Sequence, residues 1–551
     1  MTTIPFSPVD VSSAGTDPRG RHDDQVTLPS SVMTMARVGW RTHRAAFVTW
    51  TAATVGILFV TALSVAGLYD TPQKIADYAA AVAGGSLYAI NGKVEGINSL
   101  GGVIQDEFGF VSSLLCPLVG IALVARLTRG EEESGRLELL GSRSVHRRSV
   151  PLAAMAATSM ALVAAAIGMS LSMIVAGVPP ARGIVYALSL SALSFVFAGV
   201  AVLAAQLVLH SRGVYMIGFG VLLVAYLLRG VGDVSDNWLV WLSPLGWQEK
   251  VAAFGPVRVW ALLLPLAVGS MLTVLAAHLA EGRDVGSSIW SGGAGPAHAG
   301  PTLRKPFGTA AWLQRSSIIG WTIGAVTFTA MFGALAKETI SAIRDNPSLA
   351  DALGAHGHPE DGFLAMTLLY IAILASVFVA QVIATLNRED RAGHVEAVLA
   401  GPIDRTRWLA ANMAVVVAGL ITVVAASTVV FGLVAAASLG DPGRIGELLT
   451  AGFAYLPAEL LVGAIALAAF GAAPRLYGLV WLVVAGSSAI AFLGPGLALN
   501  RWILDLAPTT HVGFPPDGNV DATGIVVMLV LAAVFTIVGF VGFRRRGVPQ
   551  R

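Results

Sequence analysis

Two stretches of the chain set carboxylates, arginines and a glycine in the same order. Residues 129–140 read Arg-Gly-Glu-Glu-Glu-Ser-Gly-Arg-Leu-Glu-Leu-Leu, and residues 387–398 read Asn-Arg-Glu-Asp-Arg-Ala-Gly-His-Val-Glu-Ala-Val. At a constant separation of 258 positions, Glu131 matches Glu389, Glu132 matches Asp390, Gly135 matches Gly393, Glu138 matches Glu396 and Arg147 matches Arg405. Glu131 and Glu138, like Glu389 and Glu396, are seven residues apart and share a helix face. The glycine between them weakens a helix by about 1 kcal/mol, which points to a break or to close approach by another backbone. The chemistry this suits is recognition: an acidic face ringed with arginine, Arg136 among them, fits a soluble partner of mixed charge. Catalysis is a poor fit, because Glu131-Glu132-Glu133 has no converging histidine. One such loop would be read as solvated decoration; two at matching places argue for a role.

Other residues able to do chemistry are few. Glu459, in Leu-Pro-Ala-Glu-Leu, is the only carboxylate deep in an apolar block. It is either a proton site or contact for cationic substrates, or a neutral acid hydrogen-bonded near Pro457. The single thiol, Cys116, excludes a disulfide framework or a thiolate metal cluster. His210 and His511 lack the paired spacing of a metal site. No G-x-x-x-x-G-K-[ST] loop is present, so the chain carries no P-loop ATPase of its own.

The elements that must position these residues are membrane helices. Of 551 residues, 55% are hydrophobic and only 12% charged, against about 25% charged in a soluble domain. Mean hydropathy is +0.73. A soluble enzyme, a nucleic-acid binder and a disulfide scaffold are all poor readings. Apolar blocks long enough to cross ~30 Å of hydrocarbon lie at about 45–68, 107–127, 150–176, 183–209, 213–232 and 258–280. Six more lie at 316–335, 363–386, 408–438, 447–470, 476–498 and 523–543. Assigned by alternation, the segments on the N-terminal side hold 25 of the 35 basic residues, including Arg544, Arg545 and Arg546. Both termini are therefore expected in the cytoplasm. The formal charge of +2 hides this vector across the bilayer.

The expected fold is all-α: twelve transmembrane helices as two parallel six-helix repeats with short cytoplasmic helices. Residues 1–30 form a polar tail, 31–280 the first half, 281–307 a Gly/Ala/Ser/Pro-rich linker and 308–551 the second half. Met33 to Arg44 reads as an amphipathic basic stretch along the inner surface. The longer loops from Tyr69 and from Lys337 read as external caps, with helix-forming stretches such as Ile75–Val82.

The pattern E-[ED]-x-x-G-x-x-E-x-[LV] between the second and third spans resembles the coupling-helix region of ABC-2-type transporter permeases. Gly401-Pro402-Ile403-Asp404-Arg405 extends the likeness in the second copy; the first departs from it, with Ser144 in place of the proline. The fused twelve-span form, Gly282-Arg283-Asp284, and Leu303-Arg304-Lys305-Pro306 followed by Trp312-Leu-Gln-Arg315 are similar to actinobacterial exporters of polyketide antibiotics of the tetronasin-resistance type. The resemblance implies a type V exporter-like permease in a bacterial plasma membrane, among membrane lipids. Its ATPase would be a separate subunit, two copies per chain, with ATP and Mg bound there.

 

By the same resemblance the transport path falls to the second and fifth spans of each half. Those spans offer Phe108, Phe110, Tyr215, Met216 and Tyr226 in one half and Tyr370, Phe378, Tyr477, Trp481 and Phe492 in the other. Soft aromatic walls suit amphipathic small molecules held by area, though for any single residue lipid-facing or core packing is the better reading. The function implied is ATP-driven export of hydrophobic or amphipathic compounds, antibiotics included, with no enzyme activity in this chain and no nucleic-acid partner. The rival reading is a proton-coupled twelve-span transporter using Glu459.

Overall fold

The computed structural model describes residues 27–82, 88–137, 146–284, 286–290, 298, 300–345, 359–494, 500–515 and 519–546. Residues 1–26 of the expected tail, Glu138 and Ser144 lie outside the described residues. Among those described, eleven helices are long and apolar enough to cross a membrane. The chain is an all-helical, multi-pass membrane protein apart from one small antiparallel pairing, Gly513–Phe514 with Asn519–Val520.

The first group of helices comprises α1 (Leu28–Leu68), α2 (Pro72–Val82), α3 (Tyr88–Asn91), α4 (Leu100–Leu127), α5 (Arg129–Glu133), α6 (Ser149–Val175), α7 (Pro180–Leu207), α8 (Ser211–Val234), α9 (Pro244–Lys250) and α10 (Leu263–Glu281). The second comprises α11 (Pro306–Ala334), α12 (Ala336–Asp345), α13 (Pro359–Arg391), α14 (His394–Leu399), α15 (Arg405–Leu439), α16 (Arg444–Ala454), α17 (Leu456–Ala472), α18 (Gly478–Leu493), α19 (Arg501–Leu504) and α20 (Ala522–Arg545). Their starts follow local chemistry. Ser99 accepts from the Gly102 amide ahead of α4, and Asp404 and Asp521 accept two amides each ahead of α15 and α20. Proline opens α7 and α11, where its missing N–H is harmless.

Three elements differ from the sequence expectation. The basic stretch Met33–Arg44 is continuous with the first span, and the helix kinks at His43, whose φ and ψ are −110° and 18°. The block at 447–470 divides into α16 and α17 around Tyr455, two residues before Pro457. The block at 476–498 yields α18 with 16 residues, a length of about 24 Å at 1.5 Å per residue. That is short of a full crossing, and Gly494-Pro495 follows it in the sequence.

The two groups pair their helices alike. α1 lies along α6 as α11 lies along α15; α4 packs on α7 as α13 does on α17; α7 packs on α10 as α17 does on α20. The last pairing is backbone to backbone in both groups. A Cβ on Gly199 would sit 2.9 Å from the Gly269 backbone, and one on Gly471 would sit 2.0 Å from the Gly539 carbonyl oxygen. Small residues admit such contact where lipid offers helices no hydrophobic reason to associate. The likeness is incomplete, since α6 also packs on α7 whereas α15 packs on α16. Ile90 and Phe110 of the first group join a core otherwise built by the second, and there the groups meet.

Candidate functional site

Each of the two repeated loops is held by side chains from remote helices. In the first, all three carboxylates are engaged. Arg136 reaches Glu131 with two hydrogen bonds of 2.8 Å, from Nε and Nη2. His43, at the kink of α1, bonds to Oε1 of the same carboxylate. The bond to Glu131 raises the Arg136 guanidinium above its usual value. Glu132 accepts from Arg129 Nη1 at 2.5 Å and from both terminal nitrogens of Arg283, at 3.1 and 2.5 Å. Glu133 accepts from the Ser211 amide at 2.8 Å and its hydroxyl at 2.7 Å, placing a carboxylate at the N-terminus of α8. Arg129 is fully buried and also donates from Nε to the Ala205 carbonyl at the end of α7, at 2.6 Å.

The second loop repeats this plan. Glu389 pairs with His394 at 2.6 Å, and His394 stands 258 positions after Arg136. Each pair therefore bridges the repeated glycine. Gly135 and Gly393 both adopt left-handed φ, +71° and +81°, and a Cβ at either would meet nothing within 4 Å. The glycine is thus a chain break, not a point of close backbone approach. Asp390, the partner of Glu132 in the repeat, accepts from Arg546 Nη2 at 2.6 Å.

The arginine that holds the second acid comes from the same place in each group. Arg283 follows α10 by two residues, and Arg546 directly follows α20. The repeat-matched Arg147 and Arg405 then bind the backbone of that arginine: Arg147 Nη1 donates to the Arg283 carbonyl at 3.0 Å, and Arg405 Nη1 to the Arg546 carbonyl at 2.8 Å. Loop, closing helix and the start of the next span are tied at one point in both groups. Arg546 also donates to the Phe470 carbonyl at 3.2 Å, near the end of α17. It fills the role that Arg129 takes at α7.

Two clefts flank the loops. One is lined by Met35, Val38, Gly39, Leu127, Glu131 and Leu137 among others. The other is lined by Asp390, Val395, Glu396, Arg405, Phe543 and Arg546 among others. Pro402 and Val398 are exposed. Asp404 caps α15, and the Arg407 and Thr406 amides hold its carboxyl below the usual aspartate value.

The residues suggested for a transport path separate into two sets. Phe110, Tyr370 and Phe492 come together with Phe328, Phe332 and Phe363 in one ring cluster. Phe110 lies 6.1 Å from Phe328 and 6.5 Å from Phe332 between centroids, and Tyr370 lies 5.6 Å from Phe332 and 5.5 Å from Phe492. The other seven are apart from it. Phe108 and Phe378 are buried within separate cores. The Tyr226 hydroxyl donates to the Ile90 carbonyl at 2.7 Å and the Tyr477 hydroxyl to the Ala380 carbonyl at 2.6 Å. Tyr215 stacks on Phe219, while Met216 and Trp481 are exposed. Glu459 is fully buried, and neither carboxylate oxygen has a hydrogen-bond partner among the described residues.

Sequence reasoning missed His43, Arg283, Arg546 and Ser211 as loop partners, and the absence of a converging histidine is corrected: His43 meets Glu131, and His210 lies 3.4 Å from Glu133. His43 is 88 residues from Glu131, a distance no local pattern spans. The Arg544–Arg546 run was visible as charge, but only the fold singles out its third member. Phe328, Phe332 and Phe363 were missed because two of them lie on the first span of the second group.

The described residues thus form a helical multi-pass membrane bundle with two similarly braced loops. A family model described as "Multidrug efflux system permease Rv1217c, C-terminal domain" matches residues 303–544. The multidrug efflux system permease protein Rv1217c of Mycobacterium tuberculosis (strain ATCC 25618 / H37Rv) is 33% identical over 483 residues, covering 87% of this chain and 88% of that protein. The chain belongs to this family of multidrug efflux permeases.

Proposed function

We propose that this chain is the membrane-spanning permease of an ATP-driven exporter of hydrophobic or amphipathic compounds, of the ABC-2 type, built from two duplicated halves of six spans. The observation that carries the reading is the matched bracing of the two loops, each joined to the helix that closes its half. A separate nucleotide-binding subunit, two copies per chain, binds ATP and Mg and docks at these loops on the cytoplasmic face, where both termini also lie. Because Glu131 and Glu132 face inward, docking falls to the exposed surfaces of the braced loops, including Val398 and Pro402 in the second. Multidrug efflux is what the name of the Mycobacterium tuberculosis relative describes, and the aromatic cluster at the seam between the groups suits substrates of that character.

The test is co-purification of an ATPase with the full-length chain, together with efflux of ethidium from intact cells. The reading expects one ATPase to co-purify, and expects vanadate to stop efflux that survives collapse of the proton gradient. Reversing charge at Glu389 and Glu396 should lower ATPase recovery while leaving the chain in the membrane; undiminished recovery and efflux would sink the docking assignment. A second reading, proton-coupled export, is favoured by one observation, the buried Glu459 carboxyl with no hydrogen-bond partner among the described residues. It requires the opposite inhibitor pattern.

A further inference from the structure

We infer that Arg283 and Arg546 are positioning residues that pass movement of each loop to the closing helix of its half. The inference rests on the permease reading above and adds the path by which a displaced loop acts on the bundle. Each arginine has two connections. Its guanidinium holds the second acid of the loop, Glu132 or Asp390, and its backbone carbonyl is held by Arg147 or Arg405. The side chains are sheltered: Arg283 and Glu132 are 9% and 6% exposed, and Arg546 and Asp390 are 20% and 14% exposed. Such pairs keep their geometry better than solvated surface pairs.

What the arginine pulls on is stiff. α10 and α20 meet α7 and α17 through Gly199 with Gly269 and Gly471 with Gly539, where no Cβ fits without displacement. Fourth and sixth spans of each group therefore shift as one packed pair. Arg129 and Arg546 complete the join by binding the Ala205 and Phe470 carbonyls near the ends of α7 and α17. A loop drawn sideways carries this pair with it through the acid–arginine pair of each half, joined in the first half by the direct bond from Arg129 to Ala205. Without that pair the loop still binds its partner but slides over the helix end.

The experiment uses the full-length chain in cells that export ethidium through it, with four variants: Arg283→Gln, Arg546→Gln, Asp390→Arg, and the charge swap Asp390→Arg with Arg546→Asp. Membrane content, co-purified ATPase and ethidium efflux per inserted chain are measured for each. The two glutamine variants are expected to keep membrane content and ATPase recovery within twofold of the parent and to lose efflux about tenfold. ATP hydrolysed per ethidium exported rises by the same factor. The swap should regain at least threefold over Asp390→Arg alone, a recovery that a merely structural arginine would not give. Unchanged efflux in Arg546→Gln, or a swap no better than Asp390→Arg, overturns the inference. If the parent recovers no ATPase and its efflux ignores vanadate, the ATP-driven reading fails, and the swap comparison alone decides the role of the arginines.

Discussion

Replacing Gly135 or Gly393 by alanine isolates one physical quantity. Both residues sit at left-handed φ, and an added Cβ meets nothing within 4 Å, so no packing penalty enters. What remains is the cost of that conformation for an L-residue, roughly 1–2 kcal/mol. If it falls on the braced form of the loop, the population of opened loop rises by a factor of about 5–30. Hydrogen exchange of the full-length protein in detergent reads this directly: amides around 131–137 and 389–395 should exchange faster by that factor, with α6 and α15 unchanged. Asparagine, which tolerates this region, should give a smaller effect than alanine, and valine a larger one. Gly471→Ala is the steric contrast, because its Cβ would lie 2.0 Å from the Gly539 oxygen and disturb helix packing rather than the loop. Exchange indistinguishable from the parent in both alanine variants, or valine no worse than alanine, would refute the reasoning.

Asp404→Asn keeps a side-chain cap on α15 but removes its titration. The folded protein holds this carboxyl below its unfolded value of 3.8, so its contribution is present above that pH and lost as pH falls through the lower folded value. Thermal unfolding followed from pH 6 to 3 should therefore weaken less steeply in the variant; identical slopes would count against the cap. Glu459→Leu removes a buried carboxyl without a partner and should stabilise the protein by ~1–3 kcal/mol, measured as a higher melting temperature, while a fall would show that the acid is hydrogen-bonded. Phe332→Ala removes a ring that is 6% exposed at the centre of the aromatic cluster. A loss of ~3 kcal/mol is expected, read as a lower melting temperature; no change would show that the cluster does not join the two groups.

The order and length of most spans were legible because apolar blocks of membrane length leave little choice of structure. Ends were less so. The basic character of Met33–Arg44 suggested a separate surface stretch, whereas the helix runs on into the first span with a kink at His43, whose ring bonds Glu131 across the fold. The shortness of α18 was written in Gly494-Pro495 but outweighed by the apolar residues around it. For the loops, the spacing of 258 brought out the acids and the glycines, since both copies carry them in sequence register. Their partners stayed hidden because Arg283 and Arg546 lie 151 and 156 residues from the acids they bind. They also fall at different separations from one another than the loops do, so a fixed-offset comparison passes over them.

That difference in spacing bears on how the two loops work. In the first, Glu132 is shared by Arg129 and Arg283, and Arg129 also holds the end of α7. In the second, position 387 is Asn, and Arg546 binds both Asp390 and the Phe470 carbonyl near the end of α17, while Asn387 and Arg391 donate to the Pro474 carbonyl just beyond it. The glycine is likewise bridged by a bidentate arginine in one loop and by a single histidine contact in the other. Two charged partners with parallel bonds constrain a carboxylate more than one partner does. The loops thus share a plan but differ in the partners that brace them. A permease formed as one chain can keep such a difference between its halves, which two identical subunits could not.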